Sequence, residues 1–191
     1  MSYIDTYTQL VGTPSFENTI PWLYLDSDAP PNATTACGLL VASLGASQAL
    51  PWCNADWTLA DEAAIATDWH RVTALPGGKV AGFYHSAQGL QLSQGDVLNI
   101  TRAHVVQCDT ELASFYSDYD TFPDCVKIAL LDMTWNLGIE KLKETYPHFN
   151  AAVNAQDWAT AAAQSGRNVH VPAFAPRNAW TVAQFNQAVN A

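Results

Sequence analysis

Residues Phe16–Gly38 read FENTIPWLYLDSDAPPNATTACG. Glu17 and Asp26 are separated by eight residues, among them the almost wholly apolar run Ile20–Leu25. Trp22–Leu25 reads as a strand, with Pro21 marking its start. Ser27-Asp28-Ala29-Pro30-Pro31-Asn32 is rich in turn formers, and Asn32–Ala42 reads as the return strand of a hairpin. Ser15 is placed to cap a helical turn that carries Phe16 and Glu17. An apolar strand would then fix the distance between two acids in unlike surroundings. Such a pair is the minimum equipment for hydrolysing a glycosidic bond. One carboxyl gives a proton to the leaving oxygen, and the other, ionised, activates water or attacks carbon. Both residues also have plainer uses, Glu17 beside a helix dipole and Asp26 as a turn former.

Glu17, Asp26 and the following Thr34 resemble the motif of the phage-type lysozymes, glycoside hydrolase family 24. That family carries Glu, eight residues, Asp, five residues, Thr, then a glycine-containing hairpin. The Tyr24-x-Asp26 pair matches as well. Here seven residues separate Asp26 from Thr34, and the family's Thr-x-Gly-x-Gly-His appears as Thr34-Thr35-Ala36-Cys37-Gly38-Leu39. The first glycine and the histidine are absent, and the choice between Thr34 and Thr35 stays open. A second match lies in Ala129–Gly138, ALLDMTWNLG, where the family has Ala-Leu-x-x-Met/Phe-x-[aromatic]-[Asn/Gln]-x-Gly. Asp157-Trp158 and Arg177 also have family counterparts.

The resemblance implies an α+β, mainly helical, two-lobed fold. A small hairpin-containing lobe (about residues 15–92, enlarged by an insertion at about 45–90) and a larger helical lobe (about 117–191, packed with the N-terminal helix) would be joined by a long helix at about 94–116, with the substrate cleft between the lobes. It further implies Glu17 as general acid, Asp26 as base or electrostatic stabiliser and Thr34 as holder of the attacking water. Leu40 and Trp135 would contact sugar, and Arg177 would approach Glu17. The implied activity is that of a muramidase that hydrolyses the β-1,4 bonds of peptidoglycan glycan strands with inversion, with no cofactor and no metal.

The chain has 191 residues, half of them hydrophobic and few charged, which bounds it to one globular domain. Its net charge of −10 disfavours nucleic-acid binding and simple adsorption to anionic membranes. No apolar run is long enough to span a membrane. MSYIDTYTQL lacks the basic and apolar regions of a signal peptide. A wall hydrolase without one implies a monomer made in the cytoplasm that acts at the wall or periplasm, either released through a holin-type pore or injected into rivals and countered by an immunity protein. Cys37, Cys53, Cys108 and Cys125 show no CxxC, and the five histidines show no metal-ligand spacing. Four buried thiols, or Cys37–Cys53 and Cys108–Cys125 disulfides, both remain open.

Along the chain, Tyr3–Leu10 reads as a helix capped by Ser2, with Tyr3, Ile4, Tyr7 and Leu10 on one face. Residues 45–59 read as loop, and Asp61–Leu75 as a helix capped by Thr58 or Asp61 and ended by Pro76-Gly77-Gly78. Val80–Leu92 is mixed, with room for a short strand pair. From Ser93, apolar residues recur at Val97, Ile100, Val105, Cys108, Leu112 and Phe115, giving a helix of five to six turns. His104 on its apolar face reads as a core residue. Val126–Gly138 is a buried helix stopped by Gly138. Pro147–Ala163 is helical with a break at Asn154–Asp157, Gly166–Pro176 is loop, and a last helix runs from Pro176 toward Val189.

Two readings compete with the muramidase. One is a lysozyme-like fold without catalysis, used as a wall-binding or interaction module, motivated by the altered hairpin and the acidic surface. The other keeps the chemistry and changes the polymer to chitin or chitosan.

Overall fold

The computed structural model describes residues 1–168 and 170–190. It is mainly helical, with one small antiparallel sheet of three strands among the described residues. Two compact units divide the chain, Gly12–Thr101 and, together, Met1–Val11 with Arg102–Ala191. No helix among the described residues is long and apolar enough to cross a membrane.

In the Gly12–Thr101 unit, β1 (Ile20–Leu25) pairs antiparallel with β2 (Ala33–Ala36), which pairs antiparallel with β3 (Leu39–Leu40). Leu23 and Leu25 are buried while Trp22 and Tyr24 are half-exposed, the period-2 alternation of a sheet with one covered face. The expected single return strand over Asn32–Ala42 is instead two strands. Ala36 (φ +53°) and Gly38 (φ +85°) both enter the left-handed region and reverse the chain between them. Nor does Glu17 sit in a helical turn. Phe16 and Asn18 both donate from N–H to the Thr13 carbonyl, at 3.0 Å each, and Asn18 (φ +64°) closes the turn before a helix can start.

Residues expected as loop contain α2 (Leu44–Gln48), whose cap Ser43 accepts from the Ala46 N–H at 3.1 Å. This helix is too short to show a period. Next, α3 (Glu62–Thr73) starts at Asp61, which accepts from the Ala64 N–H at 2.8 Å. In place of a strand pair in Val80–Leu92 there is a 3-10 turn at Ala81–Phe83 and an isolated bridge from Gln91 to Cys53. α4 (Gln94–Phe115) opens on Ser93, whose Oγ accepts from the Asp96 N–H at 3.1 Å. The boundary between the units falls within α4, after Thr101.

The other unit holds α1 (Tyr3–Val11), the rest of α4, α5 (Asp124–Leu137), α6 (Ile139–Thr145), α7 (Pro147–Asn154), α8 (Trp158–Gln164) and α9 (Ala175–Val189). α5 is buried along most of its length because nearly every face is apolar, and Gly138 (φ +77°) ends it. α1 buries Tyr7, Thr8 and Val11 rather than the expected Tyr3, Ile4 and Leu10. Thr8 can be buried because its hydroxyl donates to the Ile4 carbonyl at 2.8 Å. α6 has no counterpart in the sequence reading. The break expected at Asn154–Asp157 separates α7 from α8, and Asp157 caps α8. Within the expected Gly166–Pro176 loop, Pro172–Phe174 forms a 3-10 turn and Val169 lies outside the described residues. Cys37, Cys53, Cys108 and Cys125 are free thiols, and burial pushes Cys108 up to about 12.

Candidate active site

The register of the sheet brings the early candidates together. Tyr24 lies directly opposite Thr34, and Thr34 directly opposite Leu40, so all three side chains share one face. Thr35 points the other way. It is fully buried, and its hydroxyl donates to the Ile20 carbonyl at 3.3 Å. Thr34 is 5% exposed and donates to the Asn32 carbonyl at 3.3 Å, whereas Leu40 is 57% exposed.

Asp26 follows β1 and closes the hairpin. Its N–H donates to the Asn32 carbonyl at 3.0 Å, so pairing resumes across a five-residue loop, Ser27–Pro31, that absorbs the long spacing to Thr34. The Asp26 carboxylate accepts from the Asp28 N–H (3.1 Å), the Asn32 N–H (2.8 Å) and the Asn32 Nδ2 (3.1 Å). These three donors hold it in one orientation, and a carboxylate has about four acceptor positions, which leaves room for a water molecule. Its turn-forming use is therefore real and does not exclude chemistry. Asn32 was not singled out from sequence, although an Asn closing a Pro-Pro turn after an Asp is a legible signal for it.

Glu17 approaches from the preceding turn and is half-buried. Its carboxylate rests against Gly38, where a β-carbon would stand 3.4 Å from Glu17 Oε2. That is ordinary contact, so glycine is needed at 38 for its backbone rather than for space. Ala36 also takes a left-handed conformation, at a cost of about 1 kcal/mol.

The Tyr24 phenol reports on both acids. Its pKa is pushed up to about 12, first by burial, then by the negative charges of Glu17 and Asp26, and last by Cys37. A phenol resists becoming an anion where two carboxylates already reach it. Thr34 thus lies across from Tyr24 with Leu40 beyond it on the same face, and the charges of Glu17 and Asp26 both act on the Tyr24 phenol.

Trp135 and Arg177 belong to the other unit. Trp135 is half-exposed, with its ring edge-on to His104 (centroids 4.7 Å apart) and to Tyr7 (6.2 Å). Burial lowers the His104 pKa. Arg177 donates from Nε to Asp132 Oδ1 at 2.9 Å, and its Nη2 lies 2.8 Å from the same oxygen. Fully buried Arg167 meets Asp132 Oδ2 at 2.7 Å and donates to the Asp132 carbonyl at 3.0 Å. Tyr7 donates its hydroxyl to Asp132 Oδ1 at 3.3 Å. The sequence reading missed this ionic centre. Its one visible sign is Asp132 just after the apolar run Ile128–Leu131, a residue almost never buried unless paired. Among the described residues, no group of three or more His, Cys, Asp or Glu side chains is arranged to hold a metal ion. No known family model matches the chain, and no curated protein matches it.

Proposed function

We propose that the chain is a lysozyme-type muramidase that hydrolyses the β-1,4 glycosidic bonds of peptidoglycan. The observation that carries this reading is the geometry of the hairpin, in which Glu17 rests against Gly38, Asp26 is held by Asn32 at the turn, and Thr34 lies directly across from Tyr24, whose phenol is kept neutral in part by both acids' charges. Glu17, as general acid, delivers a proton to the glycosidic oxygen as the bond to the anomeric carbon breaks. Asp26, ionised and fixed by Asn32, takes a proton from a water that attacks the opposite face of that carbon. Thr34 orients the water, since its side chain shares the Tyr24 face and that of Thr35 does not. Inversion requires the two carboxyls to stand about 6.5–9.5 Å apart so that water fits between them.

A wall-lysis assay tests the reading. The wild type is expected to clear purified cell walls, and Glu17→Gln and Asp26→Asn each to lose at least about a hundredfold in rate with an unchanged circular dichroism spectrum. Equal activity in wild type and Glu17→Gln would remove the site assignment. One observation favours the non-catalytic module, namely that Thr34 is only 5% exposed, which restricts the water it can hold. That reading predicts wall binding by the wild type without release of reducing ends.

A further inference from the structure

The segment that follows α3 is bonded to β1 and to Asp26 just beyond it. The Gly78 N–H donates to the Asp26 carbonyl at 3.1 Å, and the Trp22 indole N–H donates to the Ala81 carbonyl at 2.9 Å. β1 is an edge strand, so the segment lies along its open side from Asp26 to Trp22. Gly77 packs against Pro31 so closely that a β-carbon there would come within 2.6 Å of the proline ring.

The segment is also anchored from below. Tyr84 is fully buried, its hydroxyl donates to the Pro76 carbonyl at 2.9 Å, and its carbonyl accepts from Arg71 Nη1 at 3.0 Å. Arg71 is itself held by Asp68 at 2.8 Å. Two aromatic residues beside this anchor remain in solvent. Phe83 is 47% exposed, and His85 is exposed with its ring 4.5 Å from that of Trp22 at a 57° tilt. A well-anchored segment that keeps such rings outside has forgone the usual gain from burying them.

We infer that Trp22, Phe83 and His85 form a glycan-binding subsite that extends the candidate active site along β1. The inference rests on the glycan-cleaving reading above. Trp22 lies in β1 four residues before Asp26, at most about 13 Å away along the chain, within the reach of a short oligosaccharide. Aromatic faces suit the C–H face of a pyranose ring, and an exposed imidazole offers hydrogen bonds to hydroxyl and acetamido groups. The indole is fixed by its bond to Ala81, so little ordering is needed when sugar arrives. The occupant is a β-1,4-linked chain of N-acetylated sugars. A net charge of −10 argues against a polyanion such as nucleic acid in the same place.

The test uses the full chain carrying Glu17→Gln, which should bind without turning over, and titrates it with the β-1,4 tetramer of N-acetylglucosamine by calorimetry. Adding His85→Ala with Phe83→Ala, or separately Trp22→Leu, is expected to weaken binding about tenfold, or about 1.4 kcal/mol. In the catalytically intact background, the same changes should raise KM for wall fragments and leave kcat within about twofold. His85 and Phe83 are exposed, so their variants keep the test decisive even if Trp22→Leu fails to fold. Unchanged tetramer affinity across these variants, or no binding by Glu17→Gln itself, overturns the subsite. Undiminished lysis by Glu17→Gln instead overturns the hydrolase reading, whatever the affinities.

Discussion

Tyr24 gives the acids a spectroscopic handle. If its phenol is held neutral partly by the charges of Glu17 and Asp26, then Glu17→Gln and Asp26→Asn should each lower its titration midpoint from about 12. NMR of ring-labelled tyrosine, with the resonance assigned by Tyr24→Phe, would follow this. No movement in either variant would mean that the carboxylates do not converge there. The raised value also fixes a sign. Between about 10, the ordinary value, and about 12 the folded chain binds more protons than the unfolded chain. The Tyr24 contribution to stability is therefore complete below about 10 and is lost as pH climbs through about 12. Glu17 and Asp26 were legible in sequence because their order and spacing are local. The preference for Thr34 over Thr35 was not legible, since it depends on which residue lands opposite Tyr24, and a shift of one residue reverses every side chain.

At the scale of the element, the β2–β3 turn is the feature the sequence obscured. Alanine at position 36 hides a left-handed turn that glycine would have announced, so one long return strand was expected where two short ones occur. Ala36→Gly removes about 1 kcal/mol of backbone strain and loses a buried methyl worth about 0.8 kcal/mol, so stability should change by less than about 1 kcal/mol. Ala36→Val, β-branched in the same conformation, should destabilise by more than about 2 kcal/mol. Urea denaturation of the two variants checks the contrast. The long helices α3 and α4 were readable because apolar spacing and a capping residue agreed over several turns, and α5 because a nearly continuous apolar run ends at Gly138. Short α2 and α6 carry too few residues for a period to show.

For the molecule as a whole, buried Asp132 and half-buried His104 both bear on stability. Asp132 holds two guanidinium groups, so Asp132→Ala should cost about 3–5 kcal/mol in chemical denaturation, and more than any exposed acid replaced in the same way. His104 sets an acid limit. Burial depresses its pKa below the ordinary 6.5, so on acidification the unfolded chain takes up the proton first. The His104 contribution to stability is complete above about 6.5 and declines as pH falls from there through the folded-state value. His104→Phe should flatten that part of the Tm-against-pH curve. The α+β, mainly helical class was an expectation from the family resemblance that the helices and the small sheet agree with, but the ionic centre was not legible, because Asp132, Arg167 and Arg177 are far apart in sequence and only folding brings them together.

The most direct measurement is the chemistry itself. Purified peptidoglycan is incubated with the wild type and with Glu17→Gln in oxygen-18 water, and the fragments are read by mass spectrometry. The account predicts N-acetylmuramic acid at new reducing ends, carrying the heavy oxygen, in the wild-type digest and almost none with Glu17→Gln. Intact strands from the wild type, or the same labelled ends from both proteins, would contradict it.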